Sequence, residues 1–111
     1  MVELAEVKLS LQPENPRPAY LGAIALIALG EHERAREWLA RSLAIDPDDI
    51  LTQYNAACAH ARMGDYEQAF VLLERMLPRA NHETKSWVKV DSDFDDLRNL
   101  PRYAKVLELI G

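Results

Sequence analysis

Displaced by 34 residues, this chain falls on itself. Gly30 meets Gly64, Ala35 meets Ala69, Tyr20 meets Tyr54, Ala23 meets Ala57 and Ala25 meets Ala59. Leu39 meets Leu73, Leu9 meets Leu43 and then Leu77, and Pro13 meets Pro47. A period of this length is that of a helix-turn-helix unit that cannot bury its apolar face alone and must stack on a copy of itself. The fold class that follows is all-α, an array of stacked helix pairs. Such an array offers a surface for holding other chains far more readily than a catalytic centre.

Helix boundaries can be placed from the same letters. Asn15-Pro16 starts a helix, with Asn as cap and Pro at a position that needs no hydrogen bond. Apolar residues then run from Ala19 to Leu29, and Gly30 stops them. A second helix spans about Glu33 to Ile45 and ends at Asp46-Pro47. Asp48-Asp49 opens a third, which runs through Tyr54 and Met63 to Gly64. A fourth covers Tyr66 to about Leu77, with Pro78 helping to end it. Gly22, Ala23, Ala35, Ala56, Ala57 and Ala69 are the small residues expected where helix axes approach closely, and Leu39, Leu43, Leu73 and Leu77 fill the gaps between pairs.

This register resembles the tetratricopeptide repeat (TPR). The second copy carries Ala57, Gly64, Tyr66, Ala69 and Leu73; the first carries Ala23, Gly30, Ala35, Leu39 and Pro47. His32 replaces the usual aromatic after the turn, Ala19 and Gln53 replace a frequent Trp, and Asn81 stands where the closing Pro would fall. The resemblance implies a right-handed superhelix with C-terminal capping helices. It divides the chain into residues 14–47 and 48–81 as two repeats and 82–111 as a capping segment. Residues 1–13 align with 35–47 and so read as the second helix of an earlier repeat whose first helix is missing. The chain is then expected to be a C-terminal piece of a longer protein. Leu4, Val7 and Leu11 would be left on an uncovered face that invites self-association.

The resemblance also implies where a partner binds, because the first helix of each TPR lines the concave groove. Those positions are Arg17, Tyr20, Ile24, Ile27 and Ala28, then Leu51, Tyr54, Cys58, Ala61 and Arg62. They are mainly apolar. TPR modules that clamp the C-terminal carboxylate of chaperones present Lys, Asn and Arg there, so a chaperone-tail clamp is not expected. An apolar peptide, an amphipathic helix or another part of the parent chain fits better.

After Ala80 the period breaks. A last helix follows Asn99-Leu100-Pro101. Trp87, Phe94, Leu97, Tyr103 and Leu107 are expected on the inner face of a cap, and Lys89, Asp95, Arg102, Lys105 and Glu108 on the outer one. The cadence of Tyr54 to Ala59, Trp87, Asp93 to Arg98 and Pro101-Arg102-Tyr103 resembles the C-terminal TPR region of bacterial multidomain signalling proteins. Class III adenylate/guanylate cyclases are foremost among these. That resemblance implies a regulatory or scaffolding role and carries no cyclase active site into these residues. A free-standing adaptor is the remaining alternative.

Chemistry is sparse. Thirteen Lys and Arg are scattered against eighteen Asp and Glu, for a net charge of −5, which argues against a nucleic-acid stripe. The apolar run Ala19–Leu29 is too short to span a bilayer, and the N-terminus has no basic start of the secretory kind, so a cytoplasmic chain is expected. Cys58 is the single cysteine; its expected role is packing. Asp91 to Asp96 fails as a calcium loop, because the sixth and twelfth positions are Asp96 and Arg102 rather than Gly and Glu. Asp93 or Ser92 is expected to cap a turn over Phe94–Leu97 instead. His32, His60 and His82 have no helical partner among His or Cys. Neither a Gly-rich phosphate loop nor a Gly-x-Ser-x-Gly elbow is present. The expectation is a non-enzymatic domain without metal or cofactor.

Overall fold

The computed structural model describes residues 2–111; nothing is drawn from the side chains of Val2 and Leu9. Met1, and the match of Leu9 to Leu43 and Leu77, therefore lie outside the described residues. The described chain is all-α, with no strand. Its helices are α1 (Val2–Leu11), α2 (Arg17–Ala28), α3 (His32–Ile45), α4 (Ile50–Arg62), α5 (Tyr66–Met76), α6 (His82–Val90) and α7 (Tyr103–Ile110). Short 3₁₀ turns occupy Leu77–Arg79, Ser92–Phe94 and Leu97–Asn99.

The repeat shows most directly in how α2 and α4 end. Gly30 and Gly64 have φ of 79° and 81°, a left-handed conformation that costs glycine nothing. At the first stop the amide of Glu31 donates to Leu26 O at 2.9 Å, and Gly30 donates to Ile27 O at 3.0 Å. At the second, Asp65 donates to His60 O at 2.8 Å, and Gly64 to Ala61 O at 3.1 Å. The same pair of bonds thus satisfies the last carbonyls of both helices. Starts are held by side chains: Asp49 Oδ2 accepts from the Thr52 amide and hydroxyl at 2.9 and 2.6 Å. Asn15 Oδ1 accepts from the Arg17 amide at 3.1 Å, which leaves Pro16 one position ahead of the helix rather than first within it.

Helix α2 packs on α3 and α4 on α5, with α1 laid against α2 and α2 against α4. The close crossings need small residues. A Cβ on Gly22 would lie 2.1 Å from the Trp38 ring and 3.2 Å from the Ala5 Cβ of α1. Ala23, Ala35, Ala56, Ala57 and Ala69 are fully buried, as are Leu26, Leu39, Leu73, Met76 and Leu77.

The C-terminal region departs from its expected form in four ways. The polar stretch after Asn81 is helical: α6 starts where Asn81 Oδ1 accepts from the Thr84 amide at 2.8 Å. The turn at residues 92–94 is capped by Asp91, whose Oδ1 accepts from the Asp93 amide at 2.9 Å, rather than by Ser92 or Asp93. Trp87 and Leu107 are about half exposed, so the inner face consists of Val88, Phe94, Leu97, Tyr103 and Val106. Arg102, expected to stand free on the outer face, is only a third exposed and is tied to α5. Its guanidinium lies 5.4 Å from the Phe70 ring centroid and pairs with Glu74.

Candidate interaction face

The first helices of the two repeats, α2 and α4, present the positions named from the register, and the two halves of that face differ. On α2, Arg17 and Ala28 are exposed, and Ile24 and Ile27 are half-buried. Tyr20 is only 4% exposed and belongs to the core, where burial pushes its hydroxyl pKa up. Leu21, which the register did not single out, is exposed on the same helix.

On α4, only Leu51 and Arg62 reach solvent freely, and Arg62 is paired. The chain's own segment Trp87–Phe94 comes over the rest. Tyr54 meets the rings of Phe94 and Trp87 edge-on, at 5.8 and 6.2 Å between centroids. Its hydroxyl donates to Asp91 Oδ2 at 2.6 Å. The Cys58 thiol points at the same oxygen from 3.8 Å, and Arg62 Nε pairs with Asp93 Oδ1 at 3.2 Å. Ala61 is buried. Burial first, and the Asp91 carboxylate second, push both the Tyr54 hydroxyl and the Cys58 thiol well above their ordinary pKa values. A thiol held protonated in this way is neither a ready nucleophile nor a thiolate ligand.

Cys58, Asp91 and Asp93 nevertheless bring ligand-type atoms within 4.8 Å of one another, a convergence the sequence did not signal. Asp91 is engaged by Tyr54 and by the turn amide, and Asp93 by Arg62. Their bonds hold the segment on the helix. The aperiodic residues Trp87, Asp91 and Asp93 have no counterpart in the repeat register, so only an acidic and aromatic composition hinted at them.

Two clefts border the open part of the face. One of about 220 Å³ lies between α4 and α6, lined by Ile50, Leu51, Tyr54, Asn81, Thr84 and Trp87. Another of about 610 Å³ lies where α1 meets the start of α2, lined by residues that include Leu11, Arg17, Pro18 and Leu21. Leu11, Leu21, Leu51 and Trp87 are therefore the large exposed apolar side chains that line these clefts.

Behind the face, ion pairs tie successive elements. Arg36 donates to both oxygens of Asp65, at 2.8 and 3.0 Å, and His60 Nδ1 lies 3.1 Å from Asp65 Oδ2. Arg36, more than His60, holds the Asp65 carboxyl below its ordinary pKa. Arg102 likewise donates to both oxygens of Glu74, at 2.8 and 3.1 Å, and lowers that carboxyl's pKa. Arg79 donates to the Asp48 carbonyl.

Comparison with known families fits this architecture. A family model described as "Tetratricopeptide repeat" matches residues 2–61, more than half of the chain, and the chain belongs to that family. The match runs from α1 through most of α4 and stops short of the aperiodic tail. No curated protein and no solved structure matched the chain. No helix among the described residues is long and apolar enough to cross a membrane.

Proposed function

We propose that the chain is a protein–protein interaction module of the scaffold type general to TPR domains, working through the open part of the α2–α4 face. The observation that carries this reading is the set of large apolar side chains left in solvent there: Leu21 at 40%, Leu51 at 51% and Trp87 at 44% exposure. A solvated Trp beside a cleft costs free energy unless something covers it, and apolar anchors in a cleft are what a peptide or amphipathic helix uses. Arg17, Ile24 and Ile27 extend the strip along α2. The partner is a protein or peptide with an apolar segment. Nucleic acid is not favoured by the net charge of −5.

A second reading has its own support. Asp91 to Phe94 already seats on Tyr54, Cys58 and Arg62, which shows that this face holds a segment of its own chain. In the parent protein the module would then act intramolecularly. The tail's resemblance to the C-terminal regions of bacterial class III adenylate/guanylate cyclases supports a regulatory, non-catalytic role for it within such a cytoplasmic signalling protein.

The test is capture of partners from lysate by the wild-type chain and by Leu51→Glu with Ile24→Asp, with circular dichroism as the folding control. Loss of a specific partner in the folded variant supports the strip. Retention of the same partner moves the site elsewhere. If neither bait holds a specific partner, the intramolecular reading gains.

A further inference from the structure

A cleft of about 310 Å³ opens between α3 and α5, with α4 behind it. Its apolar lining includes Leu43, half-buried on α3, and Val71 and Leu72 on α5, of which Val71 is 39% exposed. The polar groups at the cleft have fixed roles. Asp65 is a carboxylate, because Arg36 donates to both its oxygens and holds its pKa down. A carboxylate only accepts, so His60 Nδ1, 3.1 Å from Asp65 Oδ2, carries the proton and donates. In the neutral ring Nε2 is then the acceptor. The ring is buried and lines the cleft, and its Nε2 has no partner among the described residues. Arg75 at the rim is exposed and has no ion-pair partner among them. Glu67, also at the rim, is held by Arg102.

An occupant of this cleft needs an aliphatic group for Val71 and Leu43, a donor for Nε2 and an anion for Arg75. A peptide in which Leu, Ile or Val neighbours Asp or Glu has all of these, its backbone supplying the N–H. We infer that the α3–α5 cleft is a second binding site, and that it takes an acidic, aliphatic peptide segment of a partner protein. The aliphatic side chain lies on Val71 and Leu43, a backbone N–H donates to His60 Nε2, and the neighbouring carboxylate pairs with Arg75. The volume suits one or two side chains, since pockets for whole ligands run from about 300 to 1,000 Å³. Apolar contact supplies most of the affinity, and the Arg75 pair at the surface selects acidic over basic sequences. Asp65 and Arg36 are positioning residues, because they fix the tautomer that leaves Nε2 open. The site shares no residue with the α2–α4 strip and does not rest on it.

Selection from a random-peptide display library on the whole chain, with counter-selection on Val71→Asp, tests this. Enriched sequences should place Leu, Ile or Val beside Asp or Glu. An enriched peptide should bind Arg75→Glu roughly tenfold more weakly than wild type, and the same peptide with Lys in place of its acidic residue should prefer Arg75→Glu. In nitrogen NMR of the His60 imidazole, the peptide should move the Nε2 resonance while Nδ1 keeps its protonated position. Arg75→Glu, at an exposed position, becomes the counter-selection variant if circular dichroism shows that Val71→Asp disturbs α5. A selection that yields no sequence dependent on Val71 or Arg75 overturns the site. Enrichment without acidic residues, or binding that ignores Arg75→Glu, overturns the acidic partner. An unmoved Nε2 resonance overturns the part given to His60. Leu51→Glu with Ile24→Asp should leave peptide binding unchanged, so failure of the strip and failure of this cleft are told apart.

Discussion

At the N-terminal end of the stack Leu4, Val7 and Leu11 stand in solvent; at the C-terminal end Val88, Phe94, Leu97 and Val106 have no exposed surface at all. Both ends face the same problem, since a stacked repeat presents an apolar side to the next unit. The N-terminal end keeps the period. Leu4 and Ala5 repeat the places of Trp38 and Leu39, so α1 still has the surface that a neighbouring helix would cover. The C-terminal end gives up the period. After Ala80 the chain turns through α6, two 3₁₀ turns and α7, and in doing so folds back over both α4 and α5. A regular array can always be extended; closing it takes irregular sequence. That closure also takes half of the α4 face, which is why Tyr54 and Cys58 are covered while Leu51 is not.

The contrast is sharpest in a core truncation. Phe94→Ala removes a fully buried ring that packs on Tyr54, and should cost about 3–5 kcal/mol in urea unfolding. It should also free Tyr54 for reaction with a phenol-directed reagent. A loss under 1 kcal/mol would mean that the tail is an appendage rather than the closing layer.

The repeat itself was readable because its constraints are local. Gly30 and Gly64 end helices for a backbone reason, Asp49 starts one for a hydrogen-bond reason, and the alanines mark crossings. None of this requires knowledge of distant residues. The tail was less legible for the opposite reason. In α6 Val88 is the one fully buried side chain, so its apolar periodicity is too thin to announce a helix. Trp87 looked like core because it is aromatic, yet it meets Tyr54 at an edge and keeps one face in water. Arg102 looked like surface because it is charged, yet its guanidinium sits over Phe70 and reaches Glu74. The candidate face suffered likewise. The register located α2 and α4 correctly in order, but could not say that Asp91 would bond Tyr54, a partner 37 residues away.

The next effect is electrostatic and belongs to the closed end. Glu74 accepts two bonds from Arg102, which ties α5 to the start of α7. Its folded pKa lies below the ordinary 4.5, with the Arg102 hydrogen bond as the leading cause. The folded state therefore binds fewer protons than the unfolded chain on the acid side of that value. The stabilisation is fully present above the unfolded pKa and is lost as pH falls through the folded one. Glu74→Gln should be less stable than wild type at neutral pH by about 1–2 kcal/mol. The gap should close on acidification below pH 4.5, where wild type loses the same charge. Thermal melts at neutral and acid pH measure this. An unchanging gap would show that Glu74 contributes packing rather than charge.

The smallest effect lies at the open end. Leu11 is a large apolar residue, but 76% of its surface is already in water. Little transfer free energy remains to be lost, and no cavity forms when it is shortened. Leu11→Ala should therefore change stability by no more than about 0.5 kcal/mol in urea unfolding. The alanine also has the higher helix propensity, so the sign is free to favour the variant. A loss of 2 kcal/mol or more, of the size a buried leucine gives, would mean that this end of α1 is covered. The difference between the two ends would then be one of sequence alone, and not of packing.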